Sequence, residues 1–132
     1  MDLEALNGLL RPQSIAVVGA SNKEGKIGYT VVKNLLDSHY QGAIYPINPT
    51  DSVILGLQAY PSVLDVPGTI DAAVIIVPAK LVSTVAEECG KKGIKGLIII
   101  ASGFSEVGRQ DLEQQVVNIA HTYGMRVLGP NI

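Results

Sequence analysis

The sequence predicts an α/β fold: a doubly wound, mainly parallel sheet of five strands with helices on both faces. Three observations predict it. Short apolar runs bounded by Gly, Pro, Asn and Ser recur along the chain, and each has the length of a strand buried on both faces. Between them lie segments whose apolar residues return every three or four positions, as on an amphipathic helix. The two patterns alternate strictly, which calls for right-handed strand-helix-strand crossovers and hence a parallel sheet.

The first run is Ser14-Ile15-Ala16-Val17-Val18, ending at Gly19. After a polar loop, Ile27, Val31, Val32, Leu35 and Leu36 form a helical stripe to about Asp37. Ala43-Ile44-Tyr45-Pro46-Ile47 is the second extended run, closed by Asn48-Pro49. Pro46 cannot donate to a ladder, so only the first part of that run is firmly a strand. Leu55 to Pro61 reads as an irregular excursion, and Ser62 to Leu64 as a brief helical turn.

Ala72 to Val77, stopped by Pro78, is the third buried strand, and the following helix turns Val82, Val85, Ala86 and Cys89 inward. Gly96 to Ala101 is the fourth, stopped by Ser102-Gly103. A last helix places Leu112, Val116, Ile119 and Tyr123 on one face, and Met125 to Leu128 is the fifth strand. The first ten residues, with Leu6, Leu9 and Leu10, are expected to form a small helix over one end of the sheet.

Bulk properties narrow the function classes. The 132 residues fit one domain. A hydrophobic fraction of 47% against 17% charged residues argues for a filled core rather than disorder. The net charge of −2 supplies no basic footprint for nucleic acid. No apolar run approaches the roughly 18 residues of a membrane span, and Met1-Asp2-Leu3-Glu4 is unlike a secretory signal. No nucleic acid and no membrane is therefore expected as a partner, and a cytoplasmic location is. The single cysteine, Cys89, excludes an internal disulfide and reads as a structural thiol.

In an open parallel sheet the ligand sits beyond the carboxyl ends of the strands, beside the first one. There the chain reads Gly19-Ala20-Ser21-Asn22-Lys23-Glu24-Gly25-Lys26-Ile27-Gly28, a glycine-rich loop entering a helix. Backbone N–H groups and the helix N-terminus make an anion site, so a phosphate is the natural guest. Gly28, at the helix start, is expected to let that phosphate reach the backbone.

Two better-known phosphate loops do not fit. The dinucleotide pattern G-x-G-x-x-G fails at Ser21, and the P-loop spacing fails at Glu24. The second strand ends in Asn48-Pro49 where an NAD site carries an acid about 20 residues after the loop, although Asp51 lies close by.

Val77-Pro78-Ala79 leaves two readings open: an apolar shelf for an adenine ring, or simply the start of the next helix. Ser102 and Gly103 likewise permit close approach of a ligand or merely turn the chain. No catalytic constellation or metal-ligand set emerges. His39 and His121 read as solvated residues near helix ends, and Ser21 has no evident histidine and acid partners.

Taken in order, several segments resemble one family. They are Ser14 to Ser21 with Gly25-Lys26-Ile27-Gly28; Ile44 to Pro49; Ala59-Tyr60-Pro61-Ser62; Ala73 to Ala79; Gly103-Phe104-Ser105-Glu106; and Gly124 to Asn131. Together they resemble the CoA-binding domain of NDP-forming acyl-CoA synthetases, such as the ADP-forming acetyl-CoA synthetases, related to the α subunit of succinyl-CoA synthetase. The resemblance covers essentially the whole chain.

It implies a Rossmann-like domain with coenzyme A as its ligand. The first loop would hold the CoA phosphates, and Asn48-Pro49 and Val77-Pro78 would help line the nucleotide pocket. The thiol would point toward an active site shared with other domains or subunits. Members of that family continue past Gly-Pro-Asn, often with a cysteine, into a domain bearing a phosphorylated histidine and usually into an ATP-grasp region. Here Ile132 follows, and neither histidine matches that role.

Residues 1–132 are thus expected to form a single CoA-binding domain, the N-terminal part of a longer acid-CoA ligase, inactive by itself. Two alternatives stay open: an NAD(H)-binding domain of a redox sensor or dehydrogenase, and a non-catalytic domain that senses CoA or a nucleotide.

Overall fold

The computed structural model describes residues 12–102 and 108–131. Its elements follow the predicted alternation. They are β1 (Ser14–Val18), α1 (Ile27–Asp37), β2 (Ala43–Ile47), β3 (Val53–Ile54), β4 (Leu57–Gln58), a 3₁₀ turn (Val63–Asp65), β5 (Ala72–Pro78), α2 (Ala79–Lys92), β6 (Gly96–Ser102), α3 (Arg109–Tyr123) and β7 (Arg126–Asn131).

Five strands form one sheet in the order β2-β1-β5-β6-β7, and every pairing in it is parallel. All five residues of β1 are buried, as a strand flanked by neighbours and covered on both faces requires. The chain leaves β1 toward β2 on one side and returns to β5 on the other, so β1 and β5 flank the point where connections diverge. A crevice opens at such a point, beyond the carboxyl ends of the strands.

The two faces have separate cores. Toward α2 and α3, Ala16, Val18, Ala73, Ile75, Leu97 and Ile99 meet Val82, Ala86, Cys89, Leu112 and Val116. Toward α1, Ile15 and Val17 meet Val32, Ile54 and Ala59, with Val74 and Ile76 packed against them. Alternation along each strand divides its apolar residues between these layers.

The last strand, expected over Met125 to Leu128, runs from Arg126 to Asn131, and two further details differ from the sequence expectation. Pro46 lies inside β2, opposite Val17. Its carbonyl accepts from the Tyr60 N–H at 3.0 Å, on the outer edge of the sheet, whereas the next carbonyl, Ile47, faces inward to the Gly19 N–H. The missing proline donor therefore faces the edge and costs no ladder bond. The stretch expected to be irregular contains a small antiparallel hairpin, with Val53 opposite Gln58 and Ile54 opposite Leu57. Leu55 (φ +49°) and Gly56 (φ +83°) form its two-residue turn, both with the positive φ that tight hairpins favour.

The expected N-terminal helix, Gly103 and its neighbours through Glu106, and Ile132 fall outside the described residues.

Candidate functional site at the first loop

Gly19 ends β1 and turns with φ +94°, a conformation that L side chains rarely adopt. Its N–H donates to the Ile47 carbonyl at 3.1 Å, so the chain is still tied to β2 as it leaves the sheet. A Cβ on Gly19 would lie 1.9 Å from the Ile76 carbonyl oxygen. The loop therefore crosses the end of β5 in direct backbone contact.

It then returns to α1 just as closely. A Cβ on Gly28 would lie 1.9 Å from the Gly19 carbonyl oxygen and 3.0 Å from the Ala20 Cα. The missing side chain at Gly28 allows α1 to press against the loop that precedes it, and Gly28 also lines the cavity beside that loop.

That contact fixes the helix N-terminus. Lys26 caps α1 without a side-chain hydrogen bond, and its carbonyl accepts the first intrahelical bond, from the Thr30 N–H at 3.1 Å. The N–H groups of Ile27, Gly28 and Tyr29 precede that bond and have no partner within the helix. Ile27 and Gly28 line a cavity of about 450 Å³ together with Gly19, Ala20, Ser21, Gly25, Lys26, Asn48 and Ile76. That volume is within the usual range for small-molecule sites.

Asn48 holds the loop from the β2 side. Its Nδ2 donates to the Ala20 carbonyl at 2.9 Å. Its Oδ1 accepts from the Thr50 N–H at 2.8 Å, the Asp51 N–H at 2.9 Å and the Thr50 hydroxyl at 3.1 Å. Both ends of the amide are engaged, so Asn48 serves the architecture while its edge lines the cavity. Ser21 Oγ accepts from the Lys23 N–H at 2.9 Å, which closes a turn within the loop.

Seven of the residues singled out from sequence thus converge: Gly19, Ala20, Ser21, Lys26, Ile27, Gly28 and Asn48. Pro49 follows Asn48 but is exposed and outside the lining. Val77, Pro78 and Ala79 do not line this cavity: Val77 packs toward α2, Pro78 is exposed, and Ala79 is buried as the first residue of α2. The helix-start reading of that segment describes its backbone. Ser102 ends β6 opposite Pro78.

Two lining residues were missed. Gly25, with φ +96°, belongs to the recognised loop and its positive φ is typical of glycine there. Ile76 precedes Val77 and points to the opposite face, where it packs toward α1.

A larger groove, about 570 Å³, lies between α3 and the edge strand β7, lined by residues that include Glu113, Val117, His121 and Arg126. It sits at the amino end of β7, away from the strand ends where open α/β sheets bind ligands, and it has no helix N-terminus. The smaller cavity is the better candidate. Cys89 belongs to neither: burial, helped by Glu88, pushes its thiol up to about 12, so it stays protonated and unreactive at neutral pH.

The strand order, the glycine-built crossing and the helix start beside a cavity define a Rossmann-like ligand-binding domain of the doubly wound class. A family model described as CoA binding domain matches residues 13–132. The chain belongs to that family. No helix among the described residues is long and apolar enough to cross a membrane.

Several of its relatives are named as ligases. It is 54% identical over 120 residues to an acetate–CoA ligase (ADP-forming) of Methanocaldococcus jannaschii, covering 91% of this chain and 17% of that protein. It is 51% identical over 125 residues to a 4-hydroxybutyrate–CoA ligase (ADP-forming) of Nitrosopumilus maritimus, covering 93% and 18%.

The fold matches the dinucleotide-forming acetyl-coenzyme A synthetase 1 of Ca. Korarchaeum cryptofilum, solved with phosphate and ADP. That match has a TM-score of 0.89 and 52% identity, over 99% of this chain and 28% of that one. A hypothetical protein of Pyrococcus horikoshii matches with a TM-score of 0.72 and 29% identity, over 97% of this chain and 83% of that one. This chain therefore spans a minor part of the ligases it resembles, and most of a much shorter protein.

Proposed function

We propose that this domain binds coenzyme A with its diphosphate on the first loop and the N–H groups of Ile27, Gly28 and Tyr29, for an acid-CoA ligase whose remaining chemistry lies in other domains or subunits. The observation that carries this reading is the cavity where the Gly19–Gly28 contact brings the start of α1 to the carboxyl ends of β1 and β2. Unpartnered helix N–H groups and the helix dipole favour a phosphate there. Lys26 lines the same cavity and adds a positive charge.

CoA is a substrate here, and the domain's contribution is to bind and orient it. Relatives named as ADP-forming CoA ligases support this role.

Thermal unfolding with CoA, acetyl-CoA, ADP and NAD tests the proposal. A ligand at a hundredfold excess over its dissociation constant adds about 2.7 kcal/mol of stability. CoA should protect the chain and NAD should not, because the second strand ends in Asn48 where an NAD site carries an acid. Protection by NAD equal to that by CoA would overturn the reading.

A further inference from the structure

The first loop is held by two asparagines, and only one of them lines the cavity. Asn48 grips the Ala20 carbonyl from the end of β2 and is part of the lining. Asn22, two residues beyond Ala20, is outside the lining, and its side chain reaches the β3-β4 hairpin instead. Its Nδ2 donates to the Val53 carbonyl at 2.8 Å, and its Oδ1 accepts from the Leu55 N–H at 2.9 Å. Those two backbone groups flank Ile54, so the amide pairs with the hairpin much as a strand residue pairs with a parallel neighbour. The same Nδ2 lies 3.3 Å from Asp51 Oδ2, a longer and weaker third contact.

The hairpin is a firm support. Ile54 is fully buried in the layer that also holds Val17, Ala20 and Val32, and Leu55 and Leu57 pack against it. The Ala59 N–H donates to the Ser52 carbonyl at 2.9 Å and closes the open end of the hairpin. The loop, by contrast, is exposed from Asn22 to Gly25. Its internal bonds, from the Lys23 N–H to Ser21 Oγ and from the Lys26 N–H to the Lys23 carbonyl, shape the turn without fixing where it lies. Exposed hydrogen bonds add little to global stability. Holding a binding loop in its bound geometry, however, removes an ordering cost from the binding step.

We propose that Asn22 is a positioning residue for the ligand: it ties the first loop to the core-anchored hairpin and so pre-forms the phosphate site, touching no ligand atom itself. The inference rests on the reading that the CoA diphosphate occupies that loop. A side chain that merely braces the fold changes stability and leaves the affinity of the folded chain alone. A positioning residue does the reverse.

The wild type and Asn22→Ala, each confirmed folded by circular dichroism, are compared by isothermal titration with CoA, by urea denaturation and by ¹⁵N NMR with and without CoA. Asn22→Ala should bind CoA roughly tenfold more weakly, the scale of ordering about one more backbone residue on binding, while the urea midpoint shifts little. The order parameters of the Asn22 to Gly25 amides should fall from the rigid range, about 0.85, toward roughly 0.6 in free Asn22→Ala and recover when CoA is bound. An affinity within twofold of the wild type, with CoA shifts still centred on Gly19 to Gly28, would overturn the role of Asn22 and leave the first-loop site standing. So would a weaker affinity accompanied by an equal loss of stability and unchanged loop order parameters. If CoA shifts in the wild type lie elsewhere, or CoA does not bind it, the first-loop reading fails and this proposal falls with it.

Discussion

Adding one methyl group at Gly28 should unseat the start of α1. The Cβ of Gly28→Ala would begin 1.9 Å from the Gly19 carbonyl oxygen and 2.8 Å from its carbon. An ordinary carbon-oxygen contact is roughly 3.3–3.6 Å, so relief requires a shift of roughly 1.5 Å. The neighbours are backbone and cannot turn aside as a flexible side chain would. Gly19 is also held, since its N–H is bonded to Ile47 and its Cα lies against the Ile76 carbonyl.

Overpacking of this kind costs about 1–3 kcal/mol or more, against which alanine's better helix propensity returns at most about 1. A net loss of about 2 kcal/mol is expected, and a fall in Tm of roughly 6–10 °C for a chain of this size. Gly93→Ala is the control: it has a positive φ of 92° but nothing within 4 Å of the new Cβ, so it reports left-handed strain alone, about 1–2 kcal/mol. Urea denaturation of the three proteins decides the matter. Gly28→Ala as stable as the wild type would refute the argument that the loop and helix are in backbone contact.

Two further outcomes follow from the same geometry. Asn48→Asp keeps the acceptor for the Thr50 and Asp51 N–H groups but turns the donor facing the Ala20 carbonyl into an oxygen. It should cost about 1–3 kcal/mol in urea denaturation and weaken CoA binding, whereas unchanged stability and affinity would show that Asn48 does not hold the loop. Burial raises the Cys89 thiol from 9.0 to about 12. The unfolded thiol ionises first as pH rises, so this contribution is fully present below pH 9 and is lost between 9 and about 12, by up to about 1.4 kcal/mol per pH unit. The stability gap between wild type and Cys89→Ala should therefore narrow above pH 9, and parallel pH profiles would contradict the burial argument.

The main layers were legible because buried strands and amphipathic helices leave different periods in the sequence, and Gly19, Pro78 and Ser102 mark where strands stop. The β3-β4 hairpin was not, since two-residue strands show no alternation and Leu55-Gly56 lacks the Asn-Gly or Asp-Gly signature of such turns. Pro46 was doubtful as a strand residue because a sequence does not say which edge a missing donor faces.

At the site, the loop was readable from its glycines and its place between strand and helix. Ile76 was not, because β5 is apolar on both faces and either set of side chains could have turned toward the loop. The Asn22–Asp51 and Asn48–Ala20 contacts join residues 29 and 28 positions apart, a relation that tertiary folding creates and local pattern does not record.

The central claim, that CoA meets this chain at the first loop, is tested most directly by following backbone amide signals in a ¹H–¹⁵N NMR titration with CoA. The account predicts the largest shifts at Gly19 to Lys26 and at the N–H groups of Ile27, Gly28 and Tyr29, with Asn48 moving and the α3-β7 groove silent. Shifts centred instead on Val117, His121 and Arg126 would place the ligand in that groove and contradict it.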